Sequence, residues 1–272
     1  VSASIPDAFP NCVGSVADEK TNKAYYFMAS KLIAPKNFYV DNGTADSDAL
    51  GQRVYADYIV EVDEFNDSSL VVVDIFGVLA KSADFLTPDS LGTGGDINGF
   101  NELSAYITSP QGRSYKNTLR PGMTMRILSE SGDDLLTDPA GVIGVTTDDD
   151  GTLRILLDRV VSISGYEGST FSVVGMHYYL FEAERVLNFN PGTLFTGNSS
   201  HLNTINGINI IDDLLLWTDG YSEPKKINIE RCKAGTNIDG YSNNGFVHTK
   251  LYVEDPSTEV LVNVSDLSDG IG

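Results

Sequence analysis

Trp217-Thr218-Asp219-Gly220-Tyr221-Ser222-Glu223-Pro224-Lys225-Lys226-Ile227-Asn228-Ile229-Glu230-Arg231-Cys232, led in by Ile208-Asn209-Ile210-Ile211-Asp212-Asp213-Leu214-Leu215-Leu216, decides how the chain is read. Apolar runs alternate with turn residues in the order strand, tight turn, strand, polar turn, strand. That grammar is one blade of a β-propeller. It occurs a second time near the start. Cys12-Val13-Gly14-Ser15-Val16-Ala17-Asp18-Glu19 leads into Ala24-Tyr25-Tyr26-Phe27-Met28-Ala29, and Tyr58-Ile59-Val60-Glu61-Val62-Asp63 stands where Lys225-Lys226-Ile227-Asn228-Ile229-Glu230 stands later. A repeat of this kind makes the chain an array of sheet units.

The fold class expected is all-β: partial propeller blades with a small antiparallel barrel or sandwich inserted between them. The first blade segment is 1–83, with strands at 24–28, 58–62 and 70–76. Val71-Val72-Val73 is apolar without alternation, as in a strand covered on both faces. The inserted unit is 84–178. Its strands are expected at 123–128, 142–146, 152–157, 159–164 and 169–174, with Met123, Met125 and Ile127 on the buried face. The second blade segment is 179–272. The chain reads as a piece of something longer, since it opens at Val1 and closes just after the strand-like stretch 259–264.

Composition narrows the function. With 272 residues, 41% of them hydrophobic, a sizeable core is possible. The formal charge of −20 repels polyphosphate, so no sequence-specific nucleic-acid binding is expected. No apolar run reaches the length of a membrane span. The two cysteines, Cys12 and Cys232, are expected as free, buried thiols.

Candidate chemistry is sparse. Asp18-Glu19 and Asp212-Asp213 stand at matching points of the two blades, where carboxylates close a turn and cap backbone amides. Paired-carboxylate catalysis is the weaker reading. Thr147-Asp148-Asp149-Asp150-Gly151 offers hard oxygens for calcium, but the residue that a helix–loop–helix calcium site fills with glutamate is Leu157, so a polar hairpin tip is expected. His177, His201 and His248 lack metal-ligand spacing. No metal, no cofactor and no catalytic residue is expected. Trp217 is placed between blades as core, and Lys225-Lys226 on the solvated edge of a blade strand.

The segment 13–23 (Val13-Gly14-Ser15-Val16-Ala17-Asp18-Glu19-Lys20-Thr21-Asn22-Lys23), together with 208–220 and Glu223-Pro224-Lys225-Lys226-Ile227-Asn228-Ile229, resembles the tail muzzle, or nozzle, proteins of short-tailed bacteriophages, above all the crAss-like group. The resemblance covers 10–80 and 184–240; nothing in 84–178 contributes. It implies a non-enzymatic virion protein of the tail: a ring homo-oligomer of six copies at the distal end, around the channel through which the genome is ejected. Its partners would be other copies of itself, other tail proteins and the remainder of the same polypeptide. The structural motif would be Asp18, Asp212, Asp213, Trp217, Thr218, Asp219, Gly220, Glu223 and Pro224. The alternative is a module binding host-surface glycan or protein, with 84–178 as the contact.

Overall fold

The computed structural model describes residues 11–30, 53–86, 100–106, 115–129, 132–161, 177–189, 205–220, 222–236, 248–250, 252–254 and 261–263. The expected strand at 169–174 and His201 lie outside them. The described chain is mostly strand, as expected for an all-β protein; neither a closed barrel nor a propeller is formed by these residues.

Four strands open the fold as an antiparallel meander: β1 (Asn11–Asp18), β2 (Lys23–Ala29), β3 (Arg53–Asp63) and β4 (Ser68–Lys81). Beyond β4 come β5 (Phe100–Tyr106), β6 (Thr124–Ser129), β7 (Ala140–Thr147), β8 (Thr152–Val161) and β9 (His177–Glu182). They extend the same sheet in the order β1-β2-β3-β4-β9-β6-β7-β8-β5. The far edge turns back: an isolated bridge joins Leu86, just past β4, to Ser104 of β5. One core therefore fills the curl. It takes Tyr58, Val73 and Ile75 from β3 and β4, and Leu103, Met125, Ile127, Ile155 and Phe181 from β5 to β9. The described residues between 84 and 178 thus share sheet and core with the residues flanking them.

A second, three-stranded sheet follows: β10 (Gly207–Ile211), β11 (Leu214–Thr218) and β12 (Lys225–Asn228). It covers the opposite face of the β1–β4 meander through a second core, built from Tyr25, Phe27, Ile59, Val71, Val72, Leu187, Phe189, Leu215 and Trp217. β4 therefore has a core on each side. Val71 and Phe76 are extra residues in its pairing with β3, and these bulges let one long strand serve both cores. A two-stranded ladder, β13 (Tyr252–Glu254) with β14 (Leu261–Asn263), completes the strands.

Three expectations need correction. Ile229-Glu230-Arg231-Cys232 is helical, opening α1 (Ile229–Thr236). The cause is local: Asn228 Oδ1 accepts the Arg231 N–H at 2.9 Å, satisfying an amide that the helix start leaves without a partner. Glu230 in the first turn and Lys233 in the last suit the helix dipole. The expected strand 152–157 and the described part of 159–164, residues 159–161, are one strand, β8, whose pairing with β5 slips between Glu102 and Phe100; 162–164 lie outside the described residues. Both thiols are free, but only Cys232 is buried; Cys12 is exposed. No described helix is long and apolar enough to cross a membrane.

Candidate functional site

Of the motif residues, Trp217 lies in the core between the two sheets. Trp217 sits on the inward face of β11, its ring 5.4 Å from Phe27 edge-on and 6.3 Å from Phe189, with Phe27 and Phe189 5.6 Å apart. Such tilted aromatic contacts add to the gain from area burial. The chain leaves β11 through Thr218, Asp219 and Gly220. Asp219 is buried and accepts the Ser222 amide at 2.7 Å and the Ser222 hydroxyl at 2.8 Å, while the Asn206 side-chain amide donates to the Asp219 carbonyl. Gly220 has φ of +76°, and a Cβ there would lie 2.6 Å from Asn206 Nδ2, so this turn admits glycine for two independent reasons. Glu223 and Pro224 are exposed. Lys225 reaches from the β12 edge to the Leu187 carbonyl at 2.7 Å.

Asp18 and Asp212 each close the first hairpin of their sheet, by different means. Asp18 accepts the Thr21 hydroxyl at 2.6 Å and the Lys20 amide, and the Thr21 bond leads in holding its carboxyl below the usual range. Asp212 takes φ of +52° in a two-residue turn, and the carbonyl of Asp213 accepts the Ile229 amide at the start of α1. The Asp148–Gly151 tip joins β7 to β8; Asp148 pairs with Arg154, and Asp150 accepts the Thr152 amide.

Sequence reasoning passed over the polar groups that tie these parts together. Asp57 and Asp74 are directly opposed on β3 and β4, and both are buried. They hold the strap 183–189, which leaves β9. Asp74 Oδ2 accepts the amides of Val186 and Leu187 at 2.6 and 2.8 Å; Asp57 Oδ2 accepts the amide of Phe189 at 2.8 Å and the Arg185 guanidinium at 3.1 Å. Arg185 also lies over Phe76, its Cζ 3.9 Å from the ring centre. Burial pushes both carboxyls up, Asp57 to about 6 against the pull of Arg185.

Further along the same face, Glu61 accepts from Tyr25, Lys23 and Lys233 at 3.0, 3.1 and 2.6 Å, joining β2, β3 and α1. The free edge of β4 is covered by 248–250. Thr249 exchanges bonds with the Val73 amide and carbonyl atoms, His248 Nδ1 accepts the Ile75 amide, and the Lys250 amide donates to Gly235 of α1. Burial leads in pushing His248 down to about 3, so its imidazole is a neutral acceptor. A signal for part of this existed: Asp57 and Glu61 share a strand face with Ile59, and an acid on a buried face requires a partner.

Comparison with family models, with curated proteins and with solved structures gave no match.

Chemically, the buried acids act as acceptors for backbone and cations, fixing the strap, the helix and both sheets relative to one another. Among the described glycines the least room is at Gly235, where a Cβ would lie 2.0 Å from the Lys250 carbonyl oxygen. Gly235→Ala must push α1 away from 248–250. A loss of about 1–3 kcal/mol is expected, read as a lower urea midpoint at unchanged slope; an unchanged midpoint would mean that α1 and 248–250 are not in contact.

Proposed function

We propose that this chain is a structural, non-enzymatic protein of a short phage tail, forming part of the ring-shaped muzzle around the distal DNA exit channel. The observation that carries the reading is the stacking of two antiparallel meanders, β1–β4 and β10–β12, about Phe27, Phe189 and Trp217. Antiparallel meanders set around an axis are how propeller blades protect their edges. The wording of 13–23 and 208–229 adds the resemblance to muzzle proteins. On this reading six copies close the ring, and the second blade is completed by the rest of the same polypeptide or by another tail protein. The charge of −20 keeps duplex DNA from adhering as it passes.

Immunogold labelling of intact particles tests the assignment. Label confined to the distal tail tip is expected; particles that carry no label, or carry it on the capsid, would refute it. A host-surface binding module is the second reading, favoured by the exposed Tyr106, Ile143 and Val160 on β5, β7 and β8. Saturable binding of the whole chain to host glycans would favour that reading over the first.

A further inference from the structure

Directly opposed carboxylates on neighbouring strands repel, and burial strengthens the repulsion by removing water. Asp57 and Asp74 meet both conditions, yet their oxygens are used unequally. Both Asp57 oxygens accept from Arg185, and Oδ2 takes the Phe189 amide as well. Asp74 places two amides on Oδ2, whereas Oδ1 is buried and has no hydrogen-bond partner among the described residues. An acceptor in that state costs free energy as a carboxylate and gains by carrying a proton.

We propose that Asp57 and Asp74 form a buried one-proton site, with the proton held on Asp74 Oδ1 and the negative charge on Asp57. Protonation at Oδ1 breaks no bond to the strap, because Oδ2 remains an acceptor for Val186 and Leu187. Protonation of Asp57 would instead weaken its bonds to Arg185 and Phe189.

The other charged and titratable groups packed on the pair are two guanidiniums, which oppose the proton, and one neutral imidazole. Arg185 from the strap is bonded to Asp57. Arg120, just past the helical turn at 115–118, donates to the Ile75 carbonyl at 2.6 Å and acts on Asp74 only through space. His248 accepts the Ile75 amide through Nδ1 and is neutral. The proton belongs to the pair, and the hydrogen bonds decide which oxygen holds it.

A carboxyl raised in the folded state stabilises the fold below its unfolded pKa, and that contribution is lost as pH rises through the folded value. The window here opens at the ordinary aspartate range, about 4, and extends up to the folded value of Asp74, which burial raises. The seam held by the strap is therefore firmer in mild acid than at neutrality.

Two measurements test this. The first is the urea midpoint of the wild-type chain and of Asp74→Asn at about pH 7.5 and about pH 5. The asparagine mimics the protonated acid, so the midpoint gap between the two proteins should change in favour of wild type on acidification. An unchanged gap would overturn the proposal. The second is a carbon NMR titration of labelled aspartate carboxyls in the wild type, which keeps the test valid if the variant does not fold. One carboxyl titrating above the ordinary aspartate range is expected, raised by burial, and it should vanish in Asp74→Asn. Titration of every aspartate below about pH 4.5 would overturn the site; persistence of the high titration in Asp74→Asn would place the proton on Asp57 and overturn its assignment.

Discussion

Trp217→Ala is expected to lower the free energy of unfolding by about 3–5 kcal/mol, enough to remove a large part of the margin of an ordinary domain. The indole is 4% exposed and stands between Phe27 and Phe189 where the two sheets meet. Its neighbours come from β2, the strap and β11, so a cavity there cannot be closed by moving one element. The chain has a single Trp, so the alanine variant must be followed by circular dichroism, not fluorescence. Trp217→Phe is the informative companion. The indole Nε1 is buried without a partner among the described residues, so phenylalanine loses area but also removes an unsatisfied donor. Its cost should be less than half that of alanine. A Trp217→Ala cost below about 1 kcal/mol would mean that the two sheets do not share this core, and would remove the stacking on which the muzzle reading rests.

The elements legible in the sequence are those whose determinants are local. β10, β11 and β12 were readable because apolar residues alternate with turn signals within a few positions, and the double-sided burial of β4 because Val71-Val72-Val73 does not alternate. The hairpin tip at Asp148–Gly151 was readable because turn chemistry is short-range. α1 was misread since apolar residues at 227, 229 and 232 fit a strand as well as a helix start, and the deciding feature was one side-chain bond from Asn228. β5 was missed because Asn101, Glu102 and Ser104 dilute its apolar face. Least readable was the joining of the parts. β9 enters between β4 and β6, and the acids that hold the strap lie 112 to 132 positions from the amides they accept. No window of sequence contains both halves of such a contact.

Those distant contacts set the second large effect, Arg185→Met. Methionine preserves much of the stem that lies over Phe76 and removes the guanidinium that is bonded to Asp57. Breaking a buried pair from one side leaves the other charge uncompensated, and a loss of about 3–5 kcal/mol is expected at neutral pH. The sign of its pH dependence follows from the same geometry. Without the guanidinium, Asp57 loses the largest influence opposing burial, so its folded pKa rises further above the ordinary aspartate range. The carboxyl is then protonated in the folded variant at a pH where the unfolded chain is still charged, and the deficit should shrink as pH falls toward about 4. Arg126→Met supplies the contrast. Arg126 pairs with Asp134 where both side chains are a quarter or more exposed, so its loss should stay within about 1 kcal/mol. Equal losses for the two variants, or a deficit for Arg185→Met that grows in acid, would mean that the strap is not held by buried charge. The strap would then depend on Leu187 and Phe189 alone, and the seam between the sheets would be an apolar contact without an electrostatic latch.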